Sequence, residues 1–355
     1  MTRAQRLAAA IGLRDNEAVI VYRPANIFYL TGFTGEGLAL IGTKNGAIVT
    51  DFRYVEQAQR QCGGFEILSV EKGKTHENIA ATLCGRWGVN TLYYEEDGLT
   101  VRTFRQAREA LPSAEWKPMN DEIELLRQIK DAGEITLIEK ACKITGESFE
   151  RILTEIHEGI TEKELAVKLE FDMLFHGADA AAFTTIVAAG ANGSLPHAVP
   201  GDRPIRNGDM ITMDFGAKVG GYCADMTRTV ALGQPSDEMK RVYQTVLTAQ
   251  KMAEEAVCAG GDCHAIDAMA RDYIDAQGYA GRFGHGLGHS LGIEIHESPR
   301  LSPTAQGKLV ENMLMTVEPG VYLPGIGGVR IENTVTVLKN GCRALTLPTK
   351  ELIIL

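Results

Sequence analysis

Two aspartates, Asp214 and Asp225, lie in the stretch MITMDFGAKVGGYCADMTRTV, residues 210–230, on alternating apolar segments either side of Val219-Gly220-Gly221. That is the pattern of a β-hairpin. With its centre between Val219 and Gly220 the two carboxylates are equidistant from the turn and face each other, with Cβ atoms roughly 4.5–5.5 Å apart. Like charges that close repel, so the pair asks for a cation. Alternation puts Thr227 and Thr229 on the same face as Asp225, where their hydroxyls could hold its oxygens. A single hairpin does not decide the matter, because isolated carboxylates near turns are often only turn or cap residues.

A second hairpin echoes the first. In MLMTVEPGVYLPGIGGVRIENTVTV, Glu318 and Glu332 lie symmetrically about Gly325. Between the hairpins runs FGHGLGHSLGIEIHESP, with His285, His289 and His296 among glycines. His285 and His289 are four apart, the spacing of a zincin helix, but Gly284, Gly286 and Gly288 oppose a helix and Gly286 stands where the zincin glutamate belongs. A dinucleotide loop fails too, since the glycine spacing departs from the fingerprint. A glycine-rich segment does let imidazoles approach a site closely. Asp214, Asp225, Glu318, Glu332 and one imidazole, with His289 as first choice, make an oxygen-rich set. About four negative charges match two divalent ions, which in hydrolytic sites lie roughly 3.5–4 Å apart. Oxygen ligands with one imidazole and no thiolate suit Mn²⁺, Co²⁺, Fe²⁺ or Zn²⁺, and oppose copper or iron–sulfur chemistry.

The elements that must position these residues are readable in outline. A chain of 355 residues with 45% hydrophobic content exceeds one typical domain. Residues 2–12 read as a helix and Ala18–Tyr22 as a strand, and Asn45-Gly46 between apolar runs predicts a type I′ hairpin. Helix and strand patterns then alternate to Leu111, an α/β layer domain. A charged segment, residues 115–130, marks a boundary near Glu124, giving domains 1–124 and 125–355. Asp131 with Glu134, and Thr161 with Glu164, are capping boxes for two helices that end near Ile156 and His176. Strands are expected over 184–230 and 313–355, with helices over 238–259 and 263–278 between them.

A net charge of −10 opposes a nucleic-acid or anionic-membrane partner. The seven cysteines are scattered, as in reduced cytosolic proteins, and Cys258, Cys263 and His264 lack the second ligand pair of a structural zinc site. No signal peptide or bilayer-spanning run is evident, so a cytoplasmic protein is expected.

With these pieces in hand, the sequence resembles the metallopeptidases of the pita-bread fold, in particular the Xaa-Pro branch of aminopeptidase P and prolidase. The likeness covers essentially the whole chain. It is carried by TIVAAGANGSLPH, MDFGAKVGGYCADMTRT, GHGLGHSLGIEIHESPR, MTVEPGVYL and GVRIE, in the family's order, and by NIFYLTGF and TDFRY in the first half. The resemblance implies a creatinase-like α/β N-terminal domain and an α+β pita-bread catalytic domain with pseudo-two-fold halves and antiparallel sheet. It implies two divalent ions, Mn²⁺ foremost with Co²⁺ or Zn²⁺ as alternatives. Asp225 and Glu332 would bridge them, with Asp214 on one and His289 and Glu318 on the other. His197 and His296 would orient substrate and stabilise the tetrahedral intermediate, Arg300 would lie near a substrate carboxylate, and Arg330 would support the histidines.

The activity so implied is hydrolysis of the bond preceding proline in a peptide or dipeptide, by a homodimer, with Glu318 passing a proton to the leaving nitrogen. One departure stands out. Many relatives carry Glu-Asp where this chain has Glu332-Asn333, and alternation predicts that Asn333 points away from the site. Three rivals are weighed against this reading. A methionine aminopeptidase is opposed by the α/β domain of about 120 residues ahead of the catalytic part. Creatine hydrolysis is opposed by the carboxylate-rich set, and a binding module without chemistry by the presence of all five ligand-type residues and both histidines.

Overall fold

The computed structural model describes residues 1–355, and the chain divides into two compact units, Met1–Arg127 and Gln128–Leu355. In the first unit six strands form one mixed sheet: β1 (Glu17–Val21), β2 (Gly37–Ile41), β3 (Gly46–Thr50), β4 (Glu66–Ser69), β5 (Thr91–Glu95) and β6 (Glu115–Met119). Their order is β4-β3-β2-β1-β5-β6, with β1 central and buried along its whole length. Helices α1 (Arg3–Ile11), α2 (Pro24–Thr31), α3 (Val55–Gln61), α4 (His76–Trp87) and α5 (Val101–Ala110) complete the layers, and α6 (Glu122–Gln128) leads out of them. Thr2 with Gln5, and Thr75 with Asn78, cap α1 and α4 reciprocally.

One expectation fails here. Asn45-Gly46 is not a two-residue turn, because Gly46 is already paired with Ile41 and the turn is Gly42–Asn45, closed by the Gly42 N–H donating to Asn45 O at 2.8 Å. Gly46 serves packing instead, since a Cβ there would meet the Phe65 ring at 2.6 Å. The charged boundary segment is built of regular elements. It holds β6 at the sheet edge, where Pro118 is tolerated, and then α6.

The second unit repeats one plan twice. Helices α7 (Ala132–Ile152) and α8 (Glu162–Phe175) precede strands β7 (Ala180–Ala181), β8 (Ile186–Ala189), β9 (Met210–Phe215), β10 (Ala217–Val219), β11 (Tyr222–Cys223) and β12 (Met226–Ala231). Helices α9 (Asp237–Ala256) and α10 (Cys263–Ile274) precede β13 (Gly288–Ser290), β14 (Glu297–Leu301), β15 (Leu314–Val317), β16 (Gly320–Leu323), β17 (Gly327–Arg330), β18 (Asn333–Leu338) and β19 (Gly341–Ala344). All strand pairs in this unit are antiparallel. The predicted capping boxes at Asp131 and Thr161 are both formed. The apolar faces of α9 and α10 bury against the second set of strands through Val242, Val246, Ile266 and Ile274.

Register decides where the acids go. In the first hairpin Lys218 pairs with Cys223 and Thr227 with Asp214, so the turn is centred on Gly220-Gly221 rather than one residue earlier. Asp214 therefore faces Thr227, not Asp225, and the two aspartates are diagonal neighbours. Both turn glycines have positive φ, 56° and 85°, which is what fixes the turn there. In the second hairpin the pairing is symmetric about Gly325, with Gly320 opposite Arg330 and Val317 opposite Asn333. Glu318 and Glu332 occupy the break between those two ladders.

Candidate active site

The two hairpins are stitched together edge to edge. The Glu332 N–H donates to Thr227 O at 3.1 Å, the Thr334 hydroxyl to Asp225 O at 2.8 Å, and the Thr229 hydroxyl to Arg330 O at 2.9 Å. This brings carboxylate oxygens of Asp214, Asp225 and Glu332 within 4.8 Å of one another. From β13, His289 Nε2 comes within 3.6 Å of Asp225 Oδ2 and 3.3 Å of Glu318 Oε1. All five ligand-type side chains thus converge.

The imidazole is oriented by its neighbours. His289 Nδ1 lies 3.0 Å from Ser290 O, and a carbonyl only accepts, so Nδ1 is the donor there and Nε2 is the ring nitrogen turned toward the acids. Thr316 links this residue to the next ligand, its hydroxyl accepting from the His289 N–H at 3.0 Å and donating to Glu318 Oε1 at 3.0 Å. The Thr227 hydroxyl, expected on Asp225, instead donates to Glu332 Oε2 at 2.7 Å, because the register sets it opposite Asp214 and beside Glu332. The Thr229 hydroxyl serves the ribbon seam, on Arg330 O and the Thr212 hydroxyl.

Whether these residues fit metal ions is tested by their own electrostatics. Asp214 Oδ1 and Glu332 Oε1 are buried with no hydrogen-bond partner, although buried acceptors are ordinarily satisfied. Burial, followed by the charges of Glu332, Asp214 and Glu318, pushes the Asp225 carboxyl far above its ordinary range. Glu332 is raised likewise by burial and then by Glu318 and Asp214. For Glu318, burial is outweighed by the hydrogen bond and charge of His289, with help from His285 and Arg330, and its pKa falls to about 2. Acids this close ionise together only around positive charge, so the residues fit divalent cations.

This gives a pH-dependent expectation. Asp225 and Glu332 titrate higher folded than unfolded, so their contribution to the metal-free protein's stability is present in acid and is lost as pH rises above roughly 4 through the raised values. Divalent ions should offset that loss. At ion concentrations about a hundredfold over Kd, linkage adds roughly 2.7 kcal/mol per site, and Tm should rise by about 5–10 °C for each site filled. The gap between manganese-loaded and chelator-treated protein in a thermal melt should be wide at pH 8 and narrow at pH 5. A gap independent of pH would refute the electrostatic account.

Asp214, Asp225 and Glu318 line one side of a cavity of about 730 Å³ whose other walls include Phe183, Ile186, Val199, Ile295, His197, His296 and Arg300. His197, after the 3₁₀ turn Gly190–Ser194, and His296, at the entrance to β14, both expose their side chains to it. The His296 ring sits edge-on to His289 with centroids 4.5 Å apart. Partial burial, then the proximity of His289 and Arg300, lowers the pKa of His296.

Arg330 is the hub beneath this surface. It donates to Asp214 Oδ2 at 2.6 Å, to the Thr227 hydroxyl at 3.1 Å, to Pro196 O at 3.2 Å and to the Tyr322 hydroxyl at 2.9 Å. Tyr322 in turn contacts His285 Nε2 at 2.8 Å, while His285 Nδ1 lies 2.8 Å from Gly286 O. Tyr322 carries no signal in sequence beyond its place on an apolar strand.

Two further features were not legible. Arg228, 1% exposed, donates to the carbonyls of Thr349, Thr227, Glu332 and Pro348 and to Asn333 Oδ1. Asn333 does point away from the acids, but it is not idle. Its amide also accepts from Thr346 and donates to Glu254 Oε2 at 3.0 Å. An aspartate would set two carboxylates face to face there, so in this chain the amide suits the site.

The fold and site define a hydrolase with a carboxylate-rich metal centre. Residues 136–339 match Metallopeptidase family M24 and residues 3–129 the Creatinase/Prolidase N-terminal domain. An Xaa-Pro dipeptidase of Pyrococcus furiosus is 36% identical, covering 99% of each chain. Among solved structures, an Xaa-Pro dipeptidase from Bacillus anthracis is 40% identical over 99% of each chain with a TM-score of 0.95. An X-Pro aminopeptidase from Thermotoga maritima is 36% identical over 99% of this chain and 100% of the other, with a TM-score of 0.92. The chain belongs to metallopeptidase family M24, the pita-bread metallopeptidases, and is an enzyme of the hydrolase class. That rules out the binding module considered above. No helix is long and apolar enough to cross a membrane.

Proposed function

We propose that this chain hydrolyses the peptide bond preceding proline, with two divalent ions held by Asp214, Asp225, His289, Glu318 and Glu332. The observation that carries this reading is the convergence of those five side chains, two with orphaned buried oxygens, beside a cavity that His197, His296 and Arg300 line together with Asp214, Asp225, His289 and Glu318. Ions there supply Lewis-acid polarisation and a water ionisable near neutral pH. Mn²⁺ is the first choice and Co²⁺ or Zn²⁺ would also suit the donor set.

The protein's own groups do the rest. His296, kept neutral near pH 7 by its lowered pKa, and His197 donate hydrogen bonds to the carbonyl oxygen as negative charge develops on it. Glu318, a carboxylate among positive charges, takes the proton lost by the attacking water and returns it to the prolyl nitrogen as the C–N bond breaks. Arg330 fixes Asp214 while Thr227 fixes Glu332, so neither carboxylate must reorganise during turnover. An imide nitrogen has no N–H to anchor, and the apolar wall of Phe183, Ile186, Val199 and Ile295 offers the proline ring shape in its place. The reading includes a homodimer in a reducing cytoplasm, consistent with seven free cysteines.

The deciding assay compares product formation from Ala-Pro, Ala-Pro-Ala and longer peptides with Mn²⁺ and after chelation. Cleavage of none of them under manganese saturation would end this reading. Arg300 points the preference toward free dipeptides, whose carboxylate a guanidinium can clamp. Arg300→Met should raise KM for Ala-Pro about tenfold, an ion-pair loss of about 1.4 kcal/mol, with little change in kcat. An equal effect on the longer peptides would place Arg300 outside carboxylate recognition.

A further inference from the structure

Lys130, just inside the catalytic unit, has a side chain 1% exposed and an ion pair to Glu297 at 3.1 Å, whose own side chain is 7% exposed. The same ammonium donates to the Ser290 hydroxyl at 3.2 Å. Ser290 and Glu297 are paired across the β13–β14 ribbon. Each directly follows a site histidine, Ser290 after His289 and Glu297 after His296. We propose that Lys130 is a positioning residue for these two histidines, acting through Ser290 and Glu297, an assignment that rests on the Xaa-Pro hydrolase reading for its catalytic meaning.

The ribbon needs such a clamp. It holds two short strands whose register slips between His289 and Ser290, and a two-stranded ribbon of this length has little stability of its own. The segment between the histidines is folded around the Glu297 carboxylate. Its Oε1 accepts the Glu294 N–H at 3.2 Å, and a Cβ at residue 292 would meet its Oε2 at 2.8 Å, so a larger residue there would displace the carboxylate. A buried carboxylate of this kind is stable as an anion beside its ammonium. Lys130 is fixed in turn from its backbone, whose N–H donates to Asn312 O at 3.1 Å. One cation therefore sets the two imidazoles, whose rings stand 4.5 Å apart, relative to each other.

The test uses the full chain. Lys130→Met should lower kcat/KM on Ala-Pro about 10–100-fold, mainly in kcat, and Lys130→Arg should recover most of it. The discriminating measurement is a double-mutant cycle with His296→Ala. If Lys130 acts through His296, adding Lys130→Met to that variant should cost no more than about 2–3-fold further, whereas a merely structural role would multiply the two losses and overturn the assignment. Should Lys130→Met fail to fold, Ser290→Ala and Glu297→Gln carry the same cycle, each altering one acceptor of the ammonium and leaving the lysine in place. A second arm is independent of turnover. Calorimetric titration with Mn²⁺ should show about tenfold weaker binding in Lys130→Met, recovered in Lys130→Arg, through misplacement of His289. An unchanged isotherm would overturn the assignment. If the parent chain cleaves no Xaa-Pro peptide, the hydrolase reading fails while this arm still decides the role of Lys130.

Discussion

Replacing Glu318 by glutamine should lower kcat for Ala-Pro by about 10³–10⁴-fold, the range of a positioned general acid–base together with its share of the local charge. The amide keeps the volume and one carbonyl oxygen, so Thr316 can still donate to it as it does to Oε1 at 3.0 Å. What it cannot do is accept a proton. In the metal-free protein the carboxyl is already ionised far into acid, its pKa about 2, because the His289 hydrogen bond and charge overcome its burial, and bound cations would favour the anion in the same sense. A proton taken up during the reaction is therefore held only briefly and is readily given to a leaving amine. KM should change little, since glutamine keeps the volume of Glu318 in the cavity wall and the other lining residues are unaltered. Metal content must be measured alongside, and a variant with full occupancy that retains parental turnover would show that the proton travels elsewhere.

Why some of this was readable before the structure, and some not, comes down to which contacts are local. The second hairpin is symmetric about Gly325 because its turn residues fix that centre, and the sequence carries the same symmetry. In the first hairpin Val219-Gly220-Gly221 allows two centres one residue apart. The choice between them depends on glycine dihedrals and on Gly216, where a Cβ would strike Ala224 O at 1.8 Å. Capping boxes were legible because both partners lie within one helical turn. Asn45-Gly46 misled because Phe65, nineteen residues on, lies over Gly46, a tertiary demand that no turn rule contains. The ligand types could be assembled from four separated acids and one histidine, yet their supports could not. Tyr322, Thr316 and Lys130 are ordinary residues locally and gain their roles from partners up to 167 positions away.

Arg228→Met should destabilise the catalytic unit by about 3–5 kcal/mol and lower its Tm by about 10–15 °C, the largest stability effect expected of any single change near the site. Two effects compete. Burial penalises the guanidinium, bringing its pKa down to about 10, and methionine is relieved of that cost. Against this, four backbone carbonyls and the Asn333 amide oxygen lose a donor; Thr227 O keeps the Glu332 N–H and Asn333 Oδ1 keeps the Thr346 hydroxyl, but the Glu332 and Pro348 carbonyls lose theirs in a region shielded from water. An unsatisfied buried acceptor costs roughly 1–3 kcal/mol, so several together outweigh one relieved charge even after relaxation. Activity should fall beyond what stability explains, since Arg228 holds the Glu332 carbonyl on the backbone that carries a ligand carboxylate. Arg228→Lys separates charge from geometry. A lysine keeps the cation but cannot direct donors at five acceptors arranged in the plane of a guanidinium fork, so it should restore less than half of the lost stability. Full recovery by lysine would mean that charge alone matters here, and the clamp on Glu332 would have to be sought in Thr227.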